Sequence, residues 1–240
     1  MILAAGFGTR MGDLTRSLPK PLLPLNRRPI IELILLKLKN AGIRQVIINL
    51  HYQKEPLKNY LKKNLPDGIE LFISEEEEIL GTGGGIAHAE SFFRSETVLV
   101  VNSDILCDIS LADFEQDHQQ KNAVASMAVY PSRNYGDYSL VLYDKNFNLK
   151  GFLPKGKQPP EDMTTGIFTG YQILTPEARR YLQPVPSSVI DAFYRQALRE
   201  GKQIAIYPHS GQWIDLGTKE NYRSAVQQVK RGEIDLSIFI

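Results

Sequence analysis

A single cysteine, Cys107, excludes an internal disulfide and makes a reducing compartment the natural setting. Neither charge is in excess, with 28 Lys and Arg against 27 Asp and Glu. A nucleic-acid binder usually carries a clear basic surplus, so a broad phosphate-backbone footprint is disfavoured, although a local group of two or three cations is not. No apolar run approaches the roughly 18 residues that a membrane-spanning helix needs. The opening Met1-Ile2-Leu3-Ala4-Ala5-Gly6 has no basic stretch and meets glycine too early for a signal peptide. Four histidines (His51, His88, His118 and His209) show no metal-ligand spacing. Internal repeats, low-complexity tracts and clear linkers are also missing. These absences leave a cytoplasmic protein without nucleic-acid or membrane partners, whose 240 residues suffice for one substantial core.

Strand-length apolar runs alternate with helical patterns in the first half, which predicts crossover units and a mainly parallel sheet. Strands are expected at Ile2 to Ala5, Gln45 to Leu50, Glu70 to Ile73 and Val98 to Val101. Helices are expected from Pro29 to Ala41, around Leu57, Tyr60 and Leu61, and from Gly85 to Phe93. Beyond about residue 120 the runs Ala123 to Val129, Tyr138 to Tyr143, Leu149 to Phe152 and Ile167 to Leu174 follow with short turns, which suggests antiparallel or mixed strands. A helix over Val189 to Arg199, a strand near Ile204 to Tyr207 and a last helix capped by Thr218 complete the reading. The expected architecture is a Rossmann-like α/β fold: a mainly parallel mixed sheet flanked by helices, in one domain over 1–240. The change of texture at about residue 120 divides it into halves 1–120 and 121–240.

The first strand runs into Gly6-Phe7-Gly8-Thr9-Arg10-Met11. Glycines there let the backbone turn sharply and bring N–H groups close to an anion. The spacing G-x-G-x-x-x-G is not the dinucleotide fingerprint, and no Gly-Lys-Ser/Thr follows to make a Walker loop. Arg10 lies inside the loop, where its planar fork suits phosphate oxygens. In Leu18-Pro19-Lys20-Pro21-Leu22, two prolines stiffen the chain around one lysine and aim its charge.

Leu3-Ala4-Ala5-Gly6-Phe7-Gly8-Thr9-Arg10-Met11 followed by Pro19-Lys20-Pro21-Leu22-Leu23-Pro24 closely resembles the signature of the sugar-1-phosphate nucleotidyltransferase family. The resemblance implies that Leu3, Ala4, Ala5, Gly6, Gly8, Thr9 and Arg10 hold the nucleoside triphosphate. It further implies that Arg10 stabilises the leaving pyrophosphate and that Lys20 contacts phosphate at the reacting centre.

Val100-Val101-Asn102-Ser103-Asp104 is an apolar strand ending in polar residues, and ligands bind at the carboxyl ends of parallel strands. Mg²⁺ favours one or two carboxylates plus substrate phosphates, so a second acid is sought elsewhere; Asp215 in Trp213-Ile214-Asp215-Leu216-Gly217-Thr218 is the candidate. Both segments look like family counterparts whose aspartates share the catalytic Mg²⁺, with Asn102 beside the nucleotide. In Leu80-Gly81-Thr82-Gly83-Gly84-Gly85 the glycines leave room for a base or ribose, and the matching family loop receives the nucleoside at Gly81, Thr82, Gly83 and Gly84. Of the glutamates at 75–78, most read as solvated charges. Sugar contacts are expected from Gly136, Asp137, Thr169, Gly170 and Lys155, although Lys155 lacks the preceding Glu found in many relatives. Trp213 reads as core.

The resemblance therefore implies an enzyme that converts NTP and sugar 1-phosphate into NDP-sugar and pyrophosphate. The compact length and the stretches Gly83-Gly84-Gly85, Gly136-Asp137-Tyr138 and Phe168-Thr169-Gly170 look most like N-acetylmuramate 1-phosphate uridylyltransferases, which points to UTP. Leu80 to Gly84 also occurs in mannose- and heptose-1-phosphate guanylyltransferases, so GTP stays open. A catalytically silent nucleotide-sugar-binding regulator is the alternative of another class; the metal pair argues against it. A Rossmann-type dehydrogenase is disfavoured by the glycine spacing and by the lack of a ribose-binding acid. A monomer or small homo-oligomer is expected, the apolar Leu236-Ser237-Ile238-Phe239-Ile240 offering a surface for a partner.

Overall fold

In a computed structural model that describes residues 1–134 and 136–240, the chain opens with strand β1 (Ile2–Leu3), hairpin strands β2 (Pro24–Leu25) and β3 (Arg28–Pro29), and helix α1 (Ile30–Asn40). It continues through β4 (Gln45–Leu50), α2 (Lys54–Asn64), β5 (Glu70–Glu75), α3 (Gly81–His88), β6 (Val98–Asn102), β7 (Ile105–Cys107) and α4 (Leu111–Lys121). Strands β8 (Ala125–Pro131), β9 (Leu140–Tyr143), β10 (Leu149–Leu153) and β11 (Thr164–Leu174) follow, then α5 (Pro176–Arg179), a π-helical turn Ile190–Tyr194 and α6 (Arg195–Arg199). The last elements are β12 (Ile204–Pro208), β13 (Trp213–Asp215) and α7 (Lys219–Lys230).

The chain divides into two compact units that do not follow the sequence halves. One holds residues 1–79, 101–108 and 212–240; the other holds 80–100 and 109–211. In the first unit β1 lies between the end of β6 and β4, and β5 pairs with β4 on the far side, all in parallel. Val46, Ile47 and Ile48 are buried, the run expected of a parallel strand covered on both faces. β1 is two residues long, shorter than the expected Ile2 to Ala5, because the Ala4 N–H turns from the ladder to the Asn49 side chain. Beside this sheet, β13 runs antiparallel to β7.

α2 buries Leu57 and Leu61, as its spacing predicts, and the Tyr60 hydroxyl donates to Glu32. Thr218 caps α7, its hydroxyl accepting from the Asn221 N–H. The closing residues differ from expectation, because Phe239 is buried and its 3₁₀ turn packs on α1 of the same unit. The tail's aromatic anchor is thus covered by its own chain.

The second unit is antiparallel through β10-β9-β11-β8, with β12 parallel to β8. The helix expected from Gly85 to Phe93 begins earlier, at Gly81, and ends at His88; a short 3₁₀ turn Glu90–Phe92 follows. Where one helix is expected over Val189 to Arg199, a π turn gives way to the short α6. Arg179, almost fully buried, ties this unit together: it pairs with Glu90 at 2.9 Å, donates to the Glu96 carbonyl and lies over the Phe93 ring.

Two predictions arise from the scaffold. Asn26 and Arg27 close the β2–β3 hairpin with φ of 45° and 73°, a turn in which glycine is the preferred second residue. In Arg27→Gly, relief of about 1–2 kcal/mol of left-handed strain outweighs about 0.4–1 kcal/mol for the freer unfolded chain. Chemical denaturation of this variant is therefore expected to show a gain of roughly 1 kcal/mol.

His118 on α4 is the second. It is buried with its Nδ1 2.8 Å from the Ser126 hydroxyl, and burial lowers its pKa, only partly offset by the charges of Asp117 and Glu115. The unfolded chain therefore takes up the proton first as pH falls, and stability is lost from about pH 6.5 downward towards the lower folded pKa. The melting-temperature advantage of the native chain over His118→Gln should shrink between about pH 7.5 and about pH 5.5.

Candidate active site

The first unit assembles the charged residues singled out in the sequence. Lys20 opens a 3₁₀ turn, Lys20–Leu22, between the extended Pro19 and buried Pro21, and its Nζ lies 2.5 Å from Asp104 Oδ2. The two side chains are 10% and 22% exposed, so the pair is shielded from bulk water while open on one side. Such a charge-assisted contact is short and directional. Asp104 occupies the turn between β6 and β7. Its backbone is fixed from two directions, since the Ser103 N–H donates to the Leu3 carbonyl and the Leu216 N–H donates to the Asp104 carbonyl.

That second bond extends the β7–β13 ribbon. Asp215 pairs with Ile105, and Leu216 bonds to Asp104 on the next rung, so the two acidic segments are direct backbone neighbours. Asp215 Oδ1 accepts from the Gly217 N–H at 2.6 Å. A Cβ on residue 217 would fall 2.6 Å from that oxygen and 3.3 Å from an Arg10 guanidinium nitrogen. Glycine there is what lets the Asp215 carboxylate and Arg10 occupy their places. Arg10 itself is exposed, in the 3₁₀ segment Thr9–Thr15 that follows Gly8. Two carboxylate segments on adjoining rungs, with a lysine on one carboxylate, form a donor set suited to Mg²⁺ and phosphate.

The other predicted residues are placed as follows. Leu3 and Asn102 face each other as paired residues of β1 and β6. The Ala4 N–H is occupied by Asn49 Oδ1 at 2.8 Å. Ala5 is buried, whereas Gly6 and Thr9 are exposed, and a side chain at Gly6 would meet nothing within 4 Å. Gly8 turns the chain with φ 65°. Glu75 pairs with Lys54 and Lys58, and the hydrogen bonds from Lys58 and Lys54 hold its carboxyl down at about 2. Glu75, Glu77 and Glu78 are exposed, as expected of most of these acids, and Glu76 is the exception: it is 2% exposed and accepts from Asn49 Nδ2. Asn49, Gln53, Glu76 and Gly217 contribute here without being among the expected site residues. For Glu76 the signal is the in–out alternation at the end of β5 carried one residue further: Ser74 and Glu76 are buried and Glu75 is exposed.

In the second unit, one side of the glycine loop packs against the chain's own backbone, while Gly81 is exposed and Thr82 half-buried. Gly83 N–H donates to the Ser187 carbonyl, Ser187 N–H to the Leu80 carbonyl, and the Val189 N–H to the Thr82 hydroxyl. A Cβ on Gly84 would lie 2.2 Å from the Val185 carbonyl oxygen, and one on Gly81 2.6 Å from that of Ser187. Thr169, expected among the sugar contacts, has its side chain engaged inside the sheet. It is fully buried and its hydroxyl donates to the Ala128 carbonyl, while Gly170 forms the bulge beside it with φ 85°. Gly136, Asp137 and Lys155 lie at exposed turns; Asp137 accepts from Asn134 Nδ2 and the Lys155 N–H donates to the Ser139 hydroxyl. Trp213 is half-buried on β13.

A parallel α/β unit with a glycine loop after its first strand and a lysine–carboxylate pair at a strand tip is the architecture of a nucleotide-handling transferase. The chain belongs to the nucleotidyl transferase family, whose profile matches residues 1–232. It is similar to the mannose-1-phosphate guanylyltransferase catalytic subunit beta of Drosophila pseudoobscura pseudoobscura, 32% identical over 225 residues covering 92% of this chain and 60% of that protein. It is also similar to the UTP–glucose-1-phosphate uridylyltransferase of Synechocystis sp., 27% identical over 248 residues covering 98% and 64%. The chain thus spans about three-fifths of the length of these relatives. Its fold is shared with HddC from Yersinia pseudotuberculosis, solved in complex with GMP-PN, at a TM-score of 0.80 and 22% identity over 95% of this chain and 97% of that one. Among the described residues, no helix is long and apolar enough to cross a membrane.

Proposed function

We propose that this chain catalyses nucleotidyl transfer from a nucleoside triphosphate to a sugar 1-phosphate, forming an NDP-sugar and pyrophosphate. The observation that carries the reading is the Lys20–Asp104 pair on the strand tip, with the Asp215 segment on the adjoining rung. The sugar phosphate oxygen attacks the α-phosphorus in line, opposite the pyrophosphate. The nucleophile is already anionic, so positioning and charge neutralisation dominate and no covalent enzyme intermediate is needed.

The main difficulty is bringing two anions together. Lys20 offers a compact positive charge at the reacting phosphate, and Arg10 a planar fork to the leaving pyrophosphate. Asp104 and Asp215 would hold Mg²⁺, which when bound neutralises phosphate charge. The Gly217 N–H orients the Asp215 carboxylate. Gly136, Asp137, Lys155 and the Thr169-Gly170 bulge are the sugar contacts proposed in the second unit. A cytoplasmic setting, where nucleoside triphosphates are abundant, fits this chemistry.

For the substrates, the motif likeness supports UTP with an amino-sugar 1-phosphate such as N-acetylmuramate 1-phosphate. The guanylyltransferase named among the relatives supports a second reading, GTP with mannose or heptose 1-phosphate. The test is pyrophosphate release with Mg²⁺, each of UTP, GTP, dTTP, CTP and ATP, and MurNAc, GlcNAc, glucose, mannose and heptose 1-phosphates. Release with one pair identifies the substrates. No release with any pair, together with tight NDP-sugar binding, would replace the enzyme by a silent sensor.

A further inference from the structure

We infer that Asn49, His51 and Gln53 form a clamp that sets the shape of the glycine loop, with Glu76 orienting its first member. All of these residues belong to the first unit. The inference rests on reading the loop as the triphosphate site.

β1 contributes two residues to the ladder, so the loop leaves the sheet almost at once and needs other anchors. Three come from alternate residues of the stretch that ends β4 and enters α2. At the loop's start, buried Asn49 Oδ1 accepts from the Ala4 N–H at 2.8 Å. At its crown, the His51 ring meets Phe7 edge-on, with centroids 5.6 Å apart, and Tyr52 flanks Phe7 at 5.7 Å. Beyond its exit, Gln53 Nε2 donates to the carbonyls of Thr15 at 3.1 Å and Arg16 at 2.8 Å. The Thr15 hydroxyl reaches back to the Gly8 carbonyl at 3.2 Å, which carries the last anchor into the loop. The chain leaves β4 after Leu50 and turns through Gln53, whose φ of 49° is left-handed, so the five-residue stretch grips three points through a strand end and a turn.

Glu76 supplies the polarity. An asparagine amide can present either end, but a carboxylate only accepts. Glu76 Oε1 accepts from Asn49 Nδ2 at 2.7 Å, which turns Asn49 Oδ1 towards the Ala4 N–H. Glu76 is itself held at both backbone groups, its N–H donating to the Leu50 carbonyl and its carbonyl accepting from His51 Nδ1. Burying a carboxylate is costly where core stability is the only requirement. It makes physical sense where a hydrogen-bond direction has to be specified. A loop whose backbone is set before the anion arrives binds it without an ordering cost.

These are positioning residues, so the test separates nucleotide binding from the rest of turnover. In the full chain, Gln53→Ala and Glu76→Gln are each expected to raise the KM for the NTP about tenfold, the scale of one lost hydrogen bond. The KM for the sugar 1-phosphate and kcat at saturating NTP should stay within about twofold, since the Lys20–Asp104 pair is untouched. Titration calorimetry with the NTP and Mg²⁺ should show the same loss in Kd. Gln53 is only half-buried whereas Glu76 is buried, so Gln53→Ala decides the matter even if Glu76→Gln fails to fold. Unchanged NTP KM and Kd in both variants would overturn the clamp, as would equal rises in both KM values with a lowered melting temperature. Failure of the functional reading looks different: the unaltered chain would release no pyrophosphate with any substrate pair.

Discussion

Asp104→Asn is expected to cut turnover by at least ~10²-fold, the scale of removing a preorganised electrostatic partner from a transition state. The substitution is nearly isosteric and leaves the backbone bond from Leu216 N–H to the residue 104 carbonyl in place, so the ribbon that seats Asp215 is retained. What changes is charge. Lys20, 10% exposed, keeps a neutral acceptor in place of an ion-pair partner, and the proposed metal loses one of its two carboxylates. Stability should fall by only about 1 kcal/mol, the difference between a charge-assisted and a neutral hydrogen bond. The measurement is kcat for pyrophosphate release at saturating substrates and Mg²⁺, with a melting curve alongside. Near-normal turnover in a folded variant would refute the metal role of Asp104.

Gly84→Ala should lose about 3 kcal/mol of stability or more, at the upper end of what overpacking a well-filled interior costs. Two effects oppose each other at this helical position. Alanine favours a helix over glycine by about 1 kcal/mol. Against that, the new Cβ would lie 2.2 Å from the Val185 carbonyl oxygen and 2.9 Å from both the Val185 carbonyl carbon and Leu80 Cβ. Backbone cannot swing aside as a flexible side chain can. The stretch is moreover bonded on either side through Ser187 to Leu80 and Gly83, so the clash wins. Urea denaturation of Gly84→Ala beside Gly136→Ala is the check, since the nearest neighbour of a Cβ at 136 is Asn134 Oδ1 at an ordinary 3.6 Å. A Gly84→Ala midpoint equal to that of Gly136→Ala would contradict the close approach.

Together the two variants separate the chemistry of the first unit from the packing of the second. Asp104→Asn alters charge where a side chain faces an opening, and little of the core notices. Gly84→Ala alters volume where two stretches of backbone touch.

Local signals made a large part of the molecule legible in the amino-acid sequence. Val46 to Ile48 announced a covered parallel strand, Leu57 and Leu61 the buried face of α2, and Thr218 the start of α7, because apolar period and capping chemistry act over a few residues. Pro19 and Pro21 stiffen the chain around Lys20 whatever surrounds it, and Asp104 at an apolar strand's end marks a ligand-facing tip. The glycine loop with Arg10 was visible for the same reason.

Only the tertiary structure decided which carboxylate meets which cation. The Lys20–Asp104 contact joins residues 84 positions apart, and Asp215 reaches Asp104 through a ribbon with β7 that no local pattern marks. Packing also set what the second glycine stretch is for. Three small residues in sequence mean space, and where 185–189 returns decides how much of it the chain takes: the Cβ side of Gly83 and Gly84 meets that backbone, while Gly81 is exposed. The same holds for Glu76, one of four like acids until its N–H bonds to Leu50 just past the end of β5 and its side chain meets Asn49, and for Thr169, whose hydroxyl bonds inside β11 and β8. Residue type and period thus determined the elements and the chemistry on offer. The folded backbone, by choosing partners far apart in the chain, determined which of those groups are spent on the protein itself and which remain to act.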